Sequence, residues 1–201
     1  MKILEYKQHS AQELLNIMKN TTLRGDKNIK PFAQSDVFIS EIKMNDVLPT
    51  QRFVLWDQLY NIRFLYDYFM DKNIDISKLK GFIEYQTDEL CSLYSLTPPI
   101  VEIIDNQPLL IDGQHRATFF GRNNISFNAI FINNVPQQYY PYQLPNQNGW
   151  KDVQYFDSVL PEGFVRKNLR YPDKETKKFM FREYPLPGII KIAREHTGKT
   201  Y

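Results

Sequence analysis

The five consecutive residues Asp112, Gly113, Gln114, His115 and Arg116 bring together an acid, a glycine, a proton carrier and a cation. An apolar run typical of a short strand precedes them, and a run typical of a helix follows. The first amides of a helix have no internal acceptor, and the helix dipole favours negative charge there. The pattern therefore predicts an anion site, with a nucleotide phosphate as the expected ligand.

Each residue of this run has an expected role and a plainer alternative. Asp112 is expected to hold Mg²⁺ on the phosphates or to act as a base, and the alternative is a turn or N-cap aspartate. Gly113 lets a phosphate approach the backbone closely. His115 could bind a phosphate oxygen or donate a proton, or it could be structural. Arg116 could grip phosphate with two parallel N–H bonds, or pair with a nearby carboxylate. Gln114 and Thr118 complete the predicted phosphate-binding set.

A polar loop after the first predicted strand of the central block supplies a second group of candidates. Asp46 is a candidate catalytic base, although an Asn-Asp pair after a strand is also common turn chemistry. Gln51 and Arg52 lie further along the same loop and are candidate nucleotide contacts. The predicted site therefore combines this loop with the strand–turn–helix run.

The elements that must position these residues follow from apolar periodicity and breaker residues. A capped helix, a strand, a largely buried helix of about four turns, a hairpin, a further helix and a closing strand are predicted in that order. Two weak helical patterns fall between the long helix and the hairpin. The predicted ranges are 10–19, 37–42, 56–69, 78–82 (weak), 89–94 (weak), 100–104, 109–111, 113–122 and 127–132, with a loop or hinge at 136–149.

Composition limits the class of protein. The chain has 201 residues, of which 42% are hydrophobic and 14% aromatic, so it can build a core and is not a disordered chain. A formal net charge of +2 argues against a strongly basic nucleic-acid binder. The single Cys91 cannot form an internal disulfide, so a reducing cytoplasm is expected. No run approaches the roughly 18 apolar residues of a membrane span, so no membrane partner is expected.

The C-terminal segment mixes basic and aromatic residues. This mixture is consistent with a patch that binds a polyanion. The favoured alternative is a solvated basic face over an aromatic core, because interleaved acids dilute the positive field. The cations concerned are Arg166, Lys167, Arg170, Lys174, Lys177, Lys178 and Arg182.

The order of elements resembles the ParB/sulfiredoxin superfamily over roughly residues 35–135. Three features carry the resemblance. The strand at 37–42 with its polar loop resembles the opening strand of the family, and Pro99-Ile100-Val101 resembles its hairpin strand. The segment 110–116 resembles its strand-to-helix signature, with Gly121 and the closing strand in the expected places.

The superfamily contains CTP-binding partition proteins, sulfiredoxins, free-serine kinases and DNA-associated or nuclease-like members. Sulfiredoxins carry a cysteine where this chain has Gln114. Partition proteins carry a Gly-Glu-Arg-Arg motif and a helix-turn-helix domain, and neither is found here. The Asp-Gly-X-His-Arg form is similar to that of the free-serine kinases, whose loop acid and motif aspartate do the chemistry. Asp46 and Asp112 match those two positions, although the loop acid of the family is usually Glu.

These expectations combine into one hypothesis. We expect an α+β fold with a mixed sheet flanked by helices, divided into an N-terminal helical extension at 1–34, a nucleotide-binding domain at 35–135 and a C-terminal extension at 136–201 packed on or near the site. The expected activity is a kinase-like transfer from ATP, ADP or CTP, with Mg²⁺, to a small hydroxyl-bearing metabolite such as an amino acid. The alternatives are a DNA-associated or nuclease-like protein and a non-catalytic nucleotide-binding module.

Overall fold

A computed structural model describes residues 2–88, 93–171 and 173–186 of the chain. The fold is α+β, as the sequence predicts. The helices are α1 (Ala11–Lys19), α2 (Trp56–Met70), α3 (Gln114–Arg122) and α4 (Lys174–Phe179). The strands are β1 (Ile3–His9), β2 (Thr22–Leu23), β3 (Asp36–Ile42), β4 (Leu48–Pro49), β5 (Phe53–Leu55), β6 (Phe82–Thr87), β7 (Leu93–Leu96), β8 (Ile100–Ile104), β9 (Gln107–Asp112), β10 (Phe127–Asn133), β11 (Gln143–Leu144), β12 (Gln154–Phe156), β13 (Asn168–Leu169) and β14 (Arg182–Glu183).

The central element is a mixed five-stranded sheet in the order β3-β10-β8-β9-β4. Strands β8 and β9 form the predicted hairpin, which turns through Asp105 and Asn106, both at positive φ. Strand β10 pairs antiparallel with β3 and parallel with β8, so the sheet is mixed. Strand β4 pairs parallel with β9, which brings the loop after β3 beside the strand that ends at Asp112.

The two faces of this sheet pack against different parts of the chain. One face meets α2 and α3 in a core that contains Val101, Leu110 and Phe120. The other face meets α1 and the C-terminal segment in a core that contains Leu14, Ile130 and Tyr184. The apolar alternation along the strands assigns neighbouring residues to opposite faces, so both faces are covered.

Strands β1, β6 and β7 form a second sheet that the sequence patterns do not predict. Strand β6 lies at the centre of this sheet and pairs antiparallel with both neighbours. The weak helical pattern at 78–82 is wrong, because a 3-10 helix at Ile76–Lys78 precedes β6. In the second weak pattern, residues 89–92 lie outside the described residues and Leu93 begins β7. The N-terminal segment is therefore part strand, since β1 pairs with β6.

The C-terminal segment crosses the sheet face opposite α2 and α3. Arg182 and Glu102 are 4% and 0% exposed, and the guanidinium bonds both carboxylate oxygens at 3.1 and 2.9 Å. The same guanidinium donates to the carbonyl oxygens of Tyr139 and Met180. A buried pair must be hydrogen-bonded to offset its desolvation, and these contacts meet that need. The pair fixes β14 to the central strand β8.

Candidate phosphate site at the start of helix α3

The turn between β9 and α3 depends on Gly113. Its φ is +85°, and a Cβ at this position would lie 2.9 Å from both Cα and Cβ of Pro99. The amide of Ala117 donates to the carbonyl of Gly113 at 2.9 Å, so the helical hydrogen bonds begin there. The three preceding amides therefore lie before the first helical bond. They give the turn the positive end of the helix dipole, as the sequence predicts.

Arg116 and Asp112 form an ion pair beside this turn. Nη2 of Arg116 donates to Oδ2 of Asp112 at 2.7 Å, and Nη1 donates to the carbonyl of Thr97 at 2.8 Å. The Arg116 side chain is 13% exposed and that of Asp112 is 36% exposed. Both terminal nitrogens of the guanidinium are thus oriented by the protein. An anion at this site must share Arg116 with Asp112 or displace it.

Gln114 is buried and joins α3 to the loop before β5. Its Nε2 donates to the carbonyl of Gln51 at 2.7 Å and to that of Phe53 at 3.2 Å. The amide of Gln51 donates back to Oε1 of Gln114 at 3.1 Å. The side chain predicted to line a phosphate site is therefore used to hold the loop in place.

His115 is half-buried and contacts β5. Its Nε2 accepts from the amide of Leu55 at 3.0 Å, and the ring of Phe53 lies edge-on with its centroid 6.2 Å away. Burial, followed by the cationic Arg116, lowers the pKa of His115 to about 4. The ring is neutral at pH 7, and its acceptor Nε2 places the proton on Nδ1. In this arrangement Nε2 cannot donate a proton to a ligand.

Asp46 lies in a 3-10 helix, Met44–Asp46, that packs along α3. Met44 fills the space beside Gly121, which is about 10 Å along the helix from its first residue. The carboxylate of Asp46 is exposed and accepts from the amide of Lys43 at 3.3 Å. The structure thus places Asp46 on the flank of the loop, where its described contacts are local. Its catalytic role stays a prediction.

The remaining predicted site residues are Gln51, Arg52 and Thr118. The first two form hydrogen bonds with backbone groups, and Thr118 is buried. Nε2 of Gln51 donates to the carbonyl of Phe53 at 3.0 Å. The amide of Arg52 donates to the carbonyl of Arg166 at 2.8 Å, so the tail runs alongside the loop. The hydroxyl of Thr118 is fully buried and has no hydrogen-bond partner among the described residues.

Three residues that the sequence analysis did not select as site residues help to build the corner. Thr97 supplies the carbonyl that orients Arg116, and Pro99 closes over Gly113. Asn146 donates from Nδ2 to the carbonyl of Gln51 at 3.1 Å. Composition predicts only a loop at 136–149, so nothing in the sequence pointed to Asn146.

One carboxylate at the corner suits a phosphate-bound Mg²⁺. Mg²⁺ that is held mainly by phosphate oxygens needs one or two protein carboxylates. Asp112 meets that need, with a side chain that is partly exposed. Among the described residues, no group of three or more His, Cys, Asp or Glu side chains forms a cage for a metal. The donor set therefore fits a metal ion that is held jointly by Asp112 and by phosphate oxygens, and not a site formed by protein side chains alone.

Several cations of the C-terminal segment contact aromatic rings or carbonyl groups of the chain itself. Nζ of Lys167 donates to the Tyr142 hydroxyl at 3.1 Å, and the guanidinium of Arg170 lies 5.2 Å from the Tyr140 ring centroid. Burial and the nearby carboxylates of Glu102 and Asp112 raise the pKa of Tyr184. The contacts of Lys167 and Arg170 favour a basic face over an aromatic core. Tyr184 belongs to the same core as Leu109, which places the segment against the strand that ends at Asp112.

The mixed sheet and its strand–turn–helix corner define an α+β domain. The family model of the ParB CE domain matches residues 13–154. Because this match covers most of the 201 residues, the chain belongs to the ParB CE domain family. No curated protein and no solved structure matches the chain. No helix within the described residues has the length and apolar character to cross a membrane.

Proposed function

We propose that this chain is a nucleotide-dependent phosphotransferase that acts on a small hydroxyl-bearing metabolite such as an amino acid. The observation that carries the proposal is the corner at Gly113, where the unused amides of α3 and the guanidinium of Arg116 lie beside one carboxylate. Phosphoryl transfer requires mainly positioning and neutralisation of charge. Backbone amides and a guanidinium can both position a phosphate and neutralise its charge.

The positive groups of the corner bind the phosphates of ATP, ADP or CTP. Arg116 offers two parallel N–H donors, and the start of the helix offers backbone amides. Asp112 opposes an anion, so it is the residue that would hold Mg²⁺. When bound, Mg²⁺ neutralises the negative charge of the phosphates. Release of Asp112 from Arg116 frees Nη2 for the ligand, while Nη1 keeps its bond to the Thr97 carbonyl.

The remaining residues position the site and activate the acceptor. Gln114 fixes the loop at Gln51, and neutral His115 fixes the start of β5. The acceptor hydroxyl oxygen forms a bond to the phosphorus, while the bond from phosphorus to the leaving nucleotide oxygen breaks. The hydroxyl proton passes to a carboxylate, and Asp46 and Asp112 are the two candidates for this base. Asp112 lies at the corner itself, whereas Asp46 lies in the 3-10 helix whose Met44 packs beside Gly121 further along α3.

The test is turnover by the full-length chain with Mg²⁺ and each of the three nucleotides. Free serine, threonine and homoserine serve as acceptors, and ³¹P NMR identifies the phosphorylated product. We expect product with at least one nucleotide, loss of product in Arg116→Ala and normal product in Arg63→Ala. Arg63 is an exposed arginine on α2 and serves as the matched control. Absence of both turnover and thermal stabilisation with all three nucleotides overturns the proposal.

Membership of the ParB CE domain family supports a DNA-associated or nuclease-like function as the second candidate. The near-neutral charge and the internal contacts of Lys167 and Arg170 argue against it. A salt-dependent gel shift with duplex DNA would support this function, and no shift at low salt would remove it. Tight nucleotide binding without turnover or DNA binding would select a non-catalytic nucleotide-binding module.

A further inference from the structure

The C-terminal segment carries a buried hydroxyl with an unused hydrogen-bond donor. Tyr184 is 9% exposed, and its hydroxyl is buried and has no hydrogen-bond partner in the described part of the chain. The ring belongs to the core on the sheet face opposite α2 and α3, together with Ile100 and Leu109. A buried tyrosine hydroxyl usually finds a partner, because an unpaired donor costs free energy. The unused donor is explained if an acceptor becomes free nearby.

The register of β8 and β9 places Asp112 on the same face of the sheet as Tyr184. A one-residue irregularity separates the pair of Ile100 and Asp112 from the pair of Val101 and Leu110. Residues that pair across two strands project to one face of a sheet. Ile100 belongs to the core of Tyr184, whereas Val101 and Leu110 belong to the core on the other face. The irregularity therefore turns the side chain of Asp112 towards the face that the C-terminal segment covers.

The electrostatics of Tyr184 agree with this placement. Burial, the carboxylate of Glu102 and that of Asp112 raise the pKa of Tyr184, in that order. Glu102 is fully engaged, because its two oxygens accept from Arg182 at 3.1 and 2.9 Å. Asp112 uses Oδ2, which accepts from Arg116 at 2.7 Å, and its Oδ1 accepts no hydrogen bond from the described residues. Asp112 is therefore the carboxylate with an oxygen available to Tyr184.

We propose that Tyr184 is a positioning residue for Asp112, whose carboxylate moves from Arg116 to the Tyr184 hydroxyl when a phosphate ligand takes Nη2 of Arg116. The inference rests on the proposed function for the identity of the ligand. A carboxylate that leaves a guanidinium needs a new donor, and the hydroxyl of Tyr184 supplies one. Because this donor is neutral, the negative charge stays on Asp112 and remains available to a cation on the phosphates. The ligand thus selects one of two arrangements of the same carboxylate.

A double-mutant cycle on Arg116 and Tyr184 tests the link without any ligand. Arg116→Met removes the guanidinium and releases Asp112 permanently, and Arg116→Gln, which can still donate to the Thr97 carbonyl, is the second variant. In the unmodified chain, Tyr184→Phe removes a hydroxyl that bonds nothing and should not lower the Tm. In either Arg116 variant the same change removes a hydrogen bond and should lower the Tm by about 2–4 °C. Addition of Asp112→Ala should abolish that loss.

Tyr140→Phe is the matched control for the stability cycle. The Tyr140 hydroxyl lies on the same C-terminal segment and bonds Asp105 at the exposed hairpin turn, at 3.2 Å. Its removal should change the Tm equally with and without Arg116. An equal loss of Tm from Tyr184→Phe with and without Arg116 would show a hydroxyl that only supports the core, and this result overturns the proposal. No loss in any of these chains also overturns it, because the hydroxyl then does not reach Asp112.

Isothermal titration with ATP, ADP and CTP in the presence of Mg²⁺ tests the bound state separately. Tyr184→Phe should raise the Kd about tenfold, although the Tm of the free chain is not lowered, whereas Tyr140→Phe should leave the Kd unchanged. An unchanged Kd in Tyr184→Phe overturns the role of Tyr184 in the bound site. Absence of nucleotide binding by the unmodified chain contradicts the proposed function, and the stability cycle then decides alone whether Tyr184 reaches Asp112.

Discussion

Gln51 and Gln114 bond to each other in both directions, at 2.7 Å from Nε2 of Gln114 to the Gln51 carbonyl and at 3.1 Å from the Gln51 amide to Oε1 of Gln114. This reciprocal pair joins the loop before β5 to the first residue of α3. The candidate site is therefore built from two segments that are far apart in the sequence. Removal of the amide side chain would leave the part-buried backbone amide of Gln51 without its acceptor, whereas the carbonyls of Gln51 and Phe53 keep a second donor each.

Gln114→Ala should lower the free energy of unfolding by about 1–3 kcal/mol, because the Gln51 amide loses its acceptor. Urea denaturation measures the change. The control is Gln12→Ala, which removes an exposed hydrogen bond to Asn16 on α1 and should cost less than about 0.5 kcal/mol. Equal losses in the two variants would contradict a structural role for the reciprocal pair.

The lowered pKa of His115 makes stability depend on pH. The folded pKa of about 4 lies below the unfolded value of about 6.5, so the unfolded chain binds more protons between these values. The contribution of the neutral His115 ring to the free energy of unfolding is fully present above about pH 6.5 and is lost as the pH falls towards 4. Between pH 7 and pH 5, the free energy of unfolding of the unmodified chain should fall by up to about 2 kcal/mol more than that of His115→Asn. Unfolding curves at the two pH values give the difference, and parallel losses in both proteins would count against a neutral His115.

Gly113 and Gly149 both have a positive φ, but only Gly113 lies close to another residue, Pro99. Gly149 has φ +57° and no atom within 4 Å of an added Cβ, whereas Gly113 would meet Pro99. Gly149→Ala should cost about 1 kcal/mol, the strain of the left-handed backbone alone. Gly113→Ala adds a steric conflict and should cost about 2–4 kcal/mol. Thermal unfolding compares the two, and a similar cost for both would show that Pro99 can move away.

The buried pair of Glu102 and Arg182 should behave as one unit in a double-mutant cycle. Arg182→Met alone leaves a buried carboxylate unpaired and should cost about 3–5 kcal/mol. Addition of Glu102→Leu should recover much of that loss, because no charge then remains buried. The exposed pair of Arg63 and Asp67 is the control, with a coupling energy below about 1 kcal/mol. If the Glu102–Arg182 coupling is no larger, β14 is not fixed to the sheet by this pair.

Local patterns predicted the central block because its elements are specified by nearby residues. The Ser10–Glu13 capping box marks the start of α1, and Asp105 and Asn106 mark the hairpin turn. The central strands and α3 were predicted to within two residues, and Gly113 proved to be the N-cap, one residue before α3. These are short-range signals that need no knowledge of the tertiary structure.

Long-range pairing explains what the sequence patterns missed. No local pattern predicts strand β6, which overlaps the weak helical pattern at 78–82 only at its first residue. It forms by pairing with β1 some 75 residues away, as in the bond between His9 and Glu84. At the site, residue types indicated a phosphate corner, but the sequence could not show which polar groups bond each other. Gln114 and His115 contact β5 and its loop, and that contact depends on folding of the whole domain.

The most direct test of the account is isothermal titration of the full-length chain with ATP, ADP and CTP in the presence of Mg²⁺. The account predicts binding of at least one nucleotide, with binding abolished in Arg116→Ala and weakened in Arg116→Lys, which keeps the charge but loses the two parallel donors. Asp112→Asn should reduce the dependence of binding on Mg²⁺. No heat of binding with any of the three nucleotides, or unchanged affinity in Arg116→Ala, would contradict a phosphate site at the start of α3.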